Sequence, residues 1–148
     1  FIICAFISIF FSINYNESNE IYSILNKIFT DRLVLGKIMY DDYGISVLGQ
    51  VIEWSTGKDV EIYRFVDSSY LNIAMNFGII ILILICIGFT IVMKDLIEQG
   101  NLNASIALLF LGIHSISDPQ LLQPQYHPFI LMFGYLFYDN KKNYRIKY

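Results

Sequence analysis

Nine polar side chains interrupt or border apolar runs, and several are of the kinds that bind anions or move protons: Arg32, Arg64, Asp67, Ser68, Ser69, Asn72, His114, Asp118 and His127. An arginine presents a planar fork of donors that fits phosphate or diphosphate, and its charge does not switch off. Arg32 and Arg64 are therefore candidate diphosphate ligands. The plainer reading pairs them with Asp31, Glu61 or lipid phosphates. Asp67 precedes a long apolar run and suits a helix N-cap, so a catalytic role would come on top of a structural one. His114 lies at the end of an apolar run, where a satisfied structural histidine is the plainer reading, and the nearby Asp118 opens a functional one. Asn72 and Asn76, spaced i and i+4, read as hydrogen-bonding glue between helices.

The element that must position most of these groups is the run from Val66 to Met93, which after Asp67 carries no charge until Lys94. Its 26 residues from Ser68 to Met93 make about 39 Å of helix at ~1.5 Å per residue, against a hydrocarbon core of about 30 Å. The run reads as one uninterrupted membrane-spanning helix capped by Asp67 or Ser68, with Tyr70 at the interface depth that suits an amphipathic ring. Composition agrees, with 55% hydrophobic and 16% charged residues and a mean hydropathy of +0.52. The expected fold is all-α, a polytopic membrane helical bundle with spans at about 1–13, 72–93, 102–117 and 126–139. One long extracytoplasmic loop, about 14–67, holds short amphipathic helices. The opening FIICAFISIFFSI lacks a basic leader and a cleavage motif and reads as the back half of an interrupted span, so the chain is expected to be a C-terminal fragment.

Within the loop, Ile21, Ile24, Leu25, Ile28 and Phe29 fall on one helical face able to lie on a bilayer or pack against the spans. Thr30 or Asp31 can end that helix and cap a second one carrying Arg32, Leu35, Ile38 and Met39. The glycine-punctuated segment ISVLGQVIEW then leads back to the membrane. The third and fourth apolar stretches are each shorter than a span, so the polar link between them, with Ser117 and Asp118 at its start, is expected to dip into the membrane against other protein. Lys141, Lys142, Arg145 and Lys147 follow the last stretch and argue for a cytoplasmic tail. Counting back through three crossings places the loop, Asp67 and the 117–125 link outside. The net charge is −3, with no basic cluster suited to nucleic acid. Cys4 and Cys86 sit in apolar runs as small hydrophobes, and no CxxC, HExxH, GxGxxG or P-loop pattern occurs.

The order NKIFTDRLVLG, ISVLGQ, FVDSSYLNIAMNFGIIILIL, LGIHSISDPQL and HPFILMFGYLF resembles the C-terminal part of bacterial polysaccharide repeat-unit polymerases. These are the Wzy-type O-antigen, capsule and exopolysaccharide polymerases related to O-antigen ligases. The similarity runs from about Asn26 to Tyr138, carried best by Asn26-x5-Arg32 and the VDSSY block, where members often show V-D-N-S-Y. Ser68 replaces the frequent Asn, His127 precedes Pro128 where members often have Asn-Pro, and His114 stands where an acid is common. The resemblance implies a multi-pass glycosyltransferase of the plasma membrane that joins polyprenyl-diphosphate-linked repeat units on its outer face, without nucleotide sugar, metal or other cofactor. It implies Arg32 on the donor diphosphate, with Asp67 and His114 orienting or deprotonating the acceptor hydroxyl. Arg64, Ser68, Tyr70, Asp118 and His127 would bind diphosphate or glycan. The implied partners are the lipid-linked oligosaccharide, the bilayer, and a chain-length regulator and flippase. A ligase-type glycan transferase and a transporter or flippase are the competing readings.

Overall fold

The computed structural model describes residues 1–56 and 63–134. Among them stand six α-helices, α1 (Ile2–Ile13), α2 (Glu20–Ile28), α3 (Arg32–Tyr43), α4 (Ser69–Asn76), α5 (Ile79–Glu98) and α6 (Leu102–His114), a 3₁₀ turn at Pro128–Leu131, and no strand. An isolated bridge joins Ser55 to Arg64.

The all-helical character holds, but the polytopic bundle does not. Among the described residues only α5 is long and apolar enough to cross a membrane. At 12 and 13 residues, α1 and α6 reach about 18 and 20 Å, well short of the ~30 Å hydrocarbon core. The fourth expected span shows the 3₁₀ turn Pro128–Leu131 followed by helical residues 132–134, where the described part ends. Its remainder and the basic tail lie outside the described residues, as does Glu61. The count of three crossings, on which the sidedness rested, therefore loses its basis.

The central run is not one helix either. It breaks at Phe77–Gly78, where Gly78 has φ +91°. Straight helix would hold Tyr70 and Cys86 about 24 Å apart at ~1.5 Å per residue. Instead Tyr70, Ile73 and Ala74 share one buried cluster with Leu82, Cys86 and Phe89, so α4 folds back along the first half of α5. The break is filled by the loop after α3: Ile79 N donates to Ser46 O at 3.1 Å and Gln50 N donates to Asn76 O at 3.1 Å. These bonds satisfy backbone groups that a helix end leaves unpaired. A Cβ on Gly78 would lie 2.4 Å from Val47 O and 2.5 Å from Gly49 N, so the loop passes where only glycine leaves room.

Two apolar clusters hold the helices. The larger centres on Phe89, which stacks with Phe1 at 4.8 Å and meets Phe133 at 4.6 Å. The smaller gathers Met39 of α3, Ile52, Val66, and Leu71 and Met75 of α4. Helix α1 packs on α3, α4 and α5, and α6 packs on α5. On α2 the face expected to pack is divided: Ile21, Ile24 and Ile28 point outward, while Leu25 and Phe29 are half-buried.

Candidate functional site

The loop between α2 and α3 is built to present Arg32. Thr30 and Asp31 both adopt left-handed backbone, φ +50° and +63°, a conformation costing about 1–2 kcal/mol each for residues with a Cβ. Buried Asn26 holds the turn. Its Oδ1 accepts from Leu33 N and Val34 N, each at 3.1 Å, and its Nδ2 donates to Asp31 Oδ1 at 2.8 Å. The cap of α3 thus comes from Asn26 and not from Thr30 or Asp31, whose side chains make no cap bond. Spacing of five residues in Asn26-x5-Arg32 is what lets one amide reach back over the turn.

From the first turn of α3, Arg32 points to the junction of α4 and α6. Its Nη1 donates to Ser117 O, and its Nε stands 3.7 Å from Asp67 Oδ2. Asp31 bonds to Asn26 instead, and among the described residues the carboxylate beside Arg32 is Asp67. Ser68, not Asp67, caps α4, accepting from Leu71 N at 3.3 Å. The Asp67 carboxylate is therefore released from capping and sits 19% exposed beside the guanidinium. Burial pushes its pKa above the usual 3.8, Arg32 pulls it back, and the Asp118 charge pushes it up again.

The link after α6 supplies the rest. His114 Nε2 lies 3.5 Å from Asp118 Oδ2, with the imidazole 57% exposed and the carboxylate 17% exposed. The Asp118 Oδ1 atom is buried with no hydrogen-bond partner. Ser69 fastens this link to the start of α4: its N donates to Ser115 O at 3.0 Å, its Oγ donates to Asp118 O, and Leu121 N donates to that Oγ at 3.1 Å. A run of contacts thus joins Asp67, Arg32, the Ser117 carbonyl, Asp118 and His114. Among the described residues no three His, Cys, Asp or Glu side chains gather as a metal site.

The other expected ligands lie elsewhere or serve the fold. Arg64 pairs with Asp42 at 3.2 Å. Tyr70 is fully buried, and its hydroxyl donates to Gly112 O at 2.8 Å, so it is a packing anchor and not an interfacial ring. Ser68 is buried and shares a short hydrogen bond with Ser8 of α1. His127 is buried with Nε2 at 3.0 Å from both Gln120 O and Leu121 O, fixing the link. Asn72 and Asn76 bond to each other within α4, Asn76 Nδ2 donating to Asn72 Oδ1 at 2.9 Å, instead of bridging helices. Asn26 was given no role in the site by sequence, and Ser69 was named among the polar side chains but given none; the Asn26-x5-Arg32 spacing and the VDSSY block were the available signals. Comparison with protein-family models, curated proteins and solved structures finds no match to this chain.

Proposed function

We propose that the chain carries the transfer site of a membrane glycosyltransferase that joins polyprenyl-diphosphate-linked oligosaccharide units at the outer face of the plasma membrane. The observation that carries this reading is the pairing of Arg32 with an Asp67 released from capping, beside the His114–Asp118 pair. The acceptor hydroxyl gives its proton to Asp67 as its oxygen bonds to the anomeric carbon of the donor sugar. The bond from that carbon to the diphosphate oxygen breaks, and the electron pair leaves with the polyprenyl diphosphate. Arg32 stabilises the charge that grows there. A raised pKa suits Asp67 to this task, because a stronger base takes the proton more readily. His114, oriented by Asp118, positions the acceptor. With α5 the candidate crossing among the described residues, that helix attaches the site to the bilayer.

One observation favours a second reading, a lipid-substrate flippase: the break at Phe77–Gly78, since discontinuous helices often line translocation sites. Reconstitution separates the two. Proteoliposomes given lipid-linked oligosaccharide should release free polyprenyl diphosphate and build a ladder of joined units. Movement of intact lipid without diphosphate release would refute glycosyl transfer, and release that needs a different glycan acceptor would identify the ligase chemistry.

A further inference from the structure

The loop that fills the helix break has an unusual combination of rigidity and exposure. Its backbone is tied to both sides of the break, through Ile79 N to Ser46 O, Gln50 N to Asn76 O, and Gly49 N to Ser46 Oγ at 2.7 Å. The Gln50 amide adds bonds to Tyr43 O and Gly44 O, each 3.1 Å. Gly49, at φ +96°, would place a Cβ 2.5 Å from Asn76 O, so the loop and the helix break interlock through glycine backbone on both sides. Ile52 turns inward to the core. Yet Val47, Leu48 and Val51 point outward, Leu48 at 83% and Val51 at 93% exposure, next to a half-exposed Phe77. Water alone would select polar side chains on so fixed a loop.

The position of this knob supplies its partner. The uncharged part of α5, Ile79 to Met93, is 15 residues, about 22 Å of helix against a hydrocarbon core of about 30 Å. Lys94 and Asp95 fix the far end, so the shortfall of about 8 Å falls at the Gly78 end. That is where the four exposed apolar side chains stand, continuous with the outward face of Ile80, Ile81, Ile83 and Leu84. We propose that Val47, Leu48, Val51 and Phe77 form an apolar collar seated in the lipid bilayer, completing the thickness that α5 alone does not span. The collar rests on the reading of α5 as the crossing. It also fixes the depth of Gly78, and with it the height of α4 and of the Arg32–Asp67 pair, relative to the lipid.

The test uses tryptophan reporters in the full chain with Trp54, its one tryptophan, replaced by Trp54→Phe. Leu48→Trp and Val51→Trp probe the collar, and Leu84→Trp probes α5. Each is reconstituted in phosphatidylcholine vesicles with and without brominated acyl chains. Blue-shifted emission at both collar positions, with most of it lost to the brominated lipid, is the expected result. Quenching at Leu84→Trp alone, with collar emission in the red and quenched by aqueous iodide, overturns the collar and leaves the crossing standing. Blue-shifted collar emission that brominated lipid does not quench means that protein covers the loop, and overturns the proposal too. Absence of lipid quenching at all three positions removes both the collar and the crossing.

Discussion

Replacing Asn26 by Ala removes three hydrogen bonds at one stroke: the two that cap Leu33 N and Val34 N and the one that ties Asp31. Loss of a cap costs about 0.5–2 kcal/mol. Leu33 is buried, and leaving a buried donor unpaired costs about 1–3 kcal/mol. The terms overlap, so a destabilisation of about 3 kcal/mol is expected, large for one residue. Asn26→Asp keeps the oxygen acceptor and adds a negative charge that a helix N-terminus favours by about 0.3–1 kcal/mol. It also loses the donor that bonds Asp31 at 2.8 Å and sets two carboxylates together, so it should fall between wild type and Asn26→Ala. Denaturant unfolding of the purified protein in detergent, followed by circular dichroism, reads the order. A second readout distinguishes a positioning role from bulk stability. Arg32 holds the Asp67 pKa down, so a loosened α3 start should move the acid limb of activity to higher pH. Wild-type unfolding and an unmoved acid limb in Asn26→Ala would refute the idea that this amide builds the site.

Other expectations follow from the same geometry. Arg32→Lys should retain only part of the activity, because an ammonium cannot hold Ser117 O, Asp67 and a diphosphate with one planar fork, and Arg32→Ala should retain none; polymer length on a gel reads both. Activity should fall as pH drops through the raised Asp67 pKa, and Asp118→Asn should shift that limb to lower pH, since Asp118 raises the Asp67 value. The same carboxyl binds its proton more tightly folded than unfolded, so its contribution to stability is lost as pH rises from 3.8 through the raised value. Gly78→Ala should abolish accumulation of folded protein, because its Cβ would meet backbone at 2.4 Å. Gly44→Ala, at φ +67° and ψ −167° in a region that essentially only glycine adopts but with nothing within 4 Å, should cost about 1–3 kcal/mol in an unfolding titration without abolishing folding.

Much of the local structure was legible because single residues decide it. Apolar runs marked helices at Ile2–Ile13 and Leu102–His114, and VDSSY marked a helix start, with Ser68 taking the cap. Composition could not show that the central run folds back on itself, because α4 and α5 are apolar on both sides of the break. The sign was present in Asn76 and Gly78, residue types that end helices, but its meaning depends on loop 45–51 entering from far along the chain. Arg32 was visible as a candidate, whereas its partner was not: Asp67 meets it across 35 positions, and Ser117 across 85. Tyr70 and His127 were expected as ligands only through the family resemblance, and each is buried on backbone carbonyls. Chain-local pattern does not report which polar group will be covered by a distant segment.

The central claim is that Asp67 takes a proton from the acceptor hydroxyl. Because Ser68 holds the cap, Asp67→Asn changes the charge without removing a helix start, and the amide has no carboxylate to accept the proton. The direct measurement is the pool of lipid-linked glycan in cells whose only copy of the protein carries Asp67→Asn, with membrane protein quantified alongside. Single repeat units on the polyprenyl carrier, with protein at wild-type level, is the predicted result; full-length polymer at that protein level would contradict it.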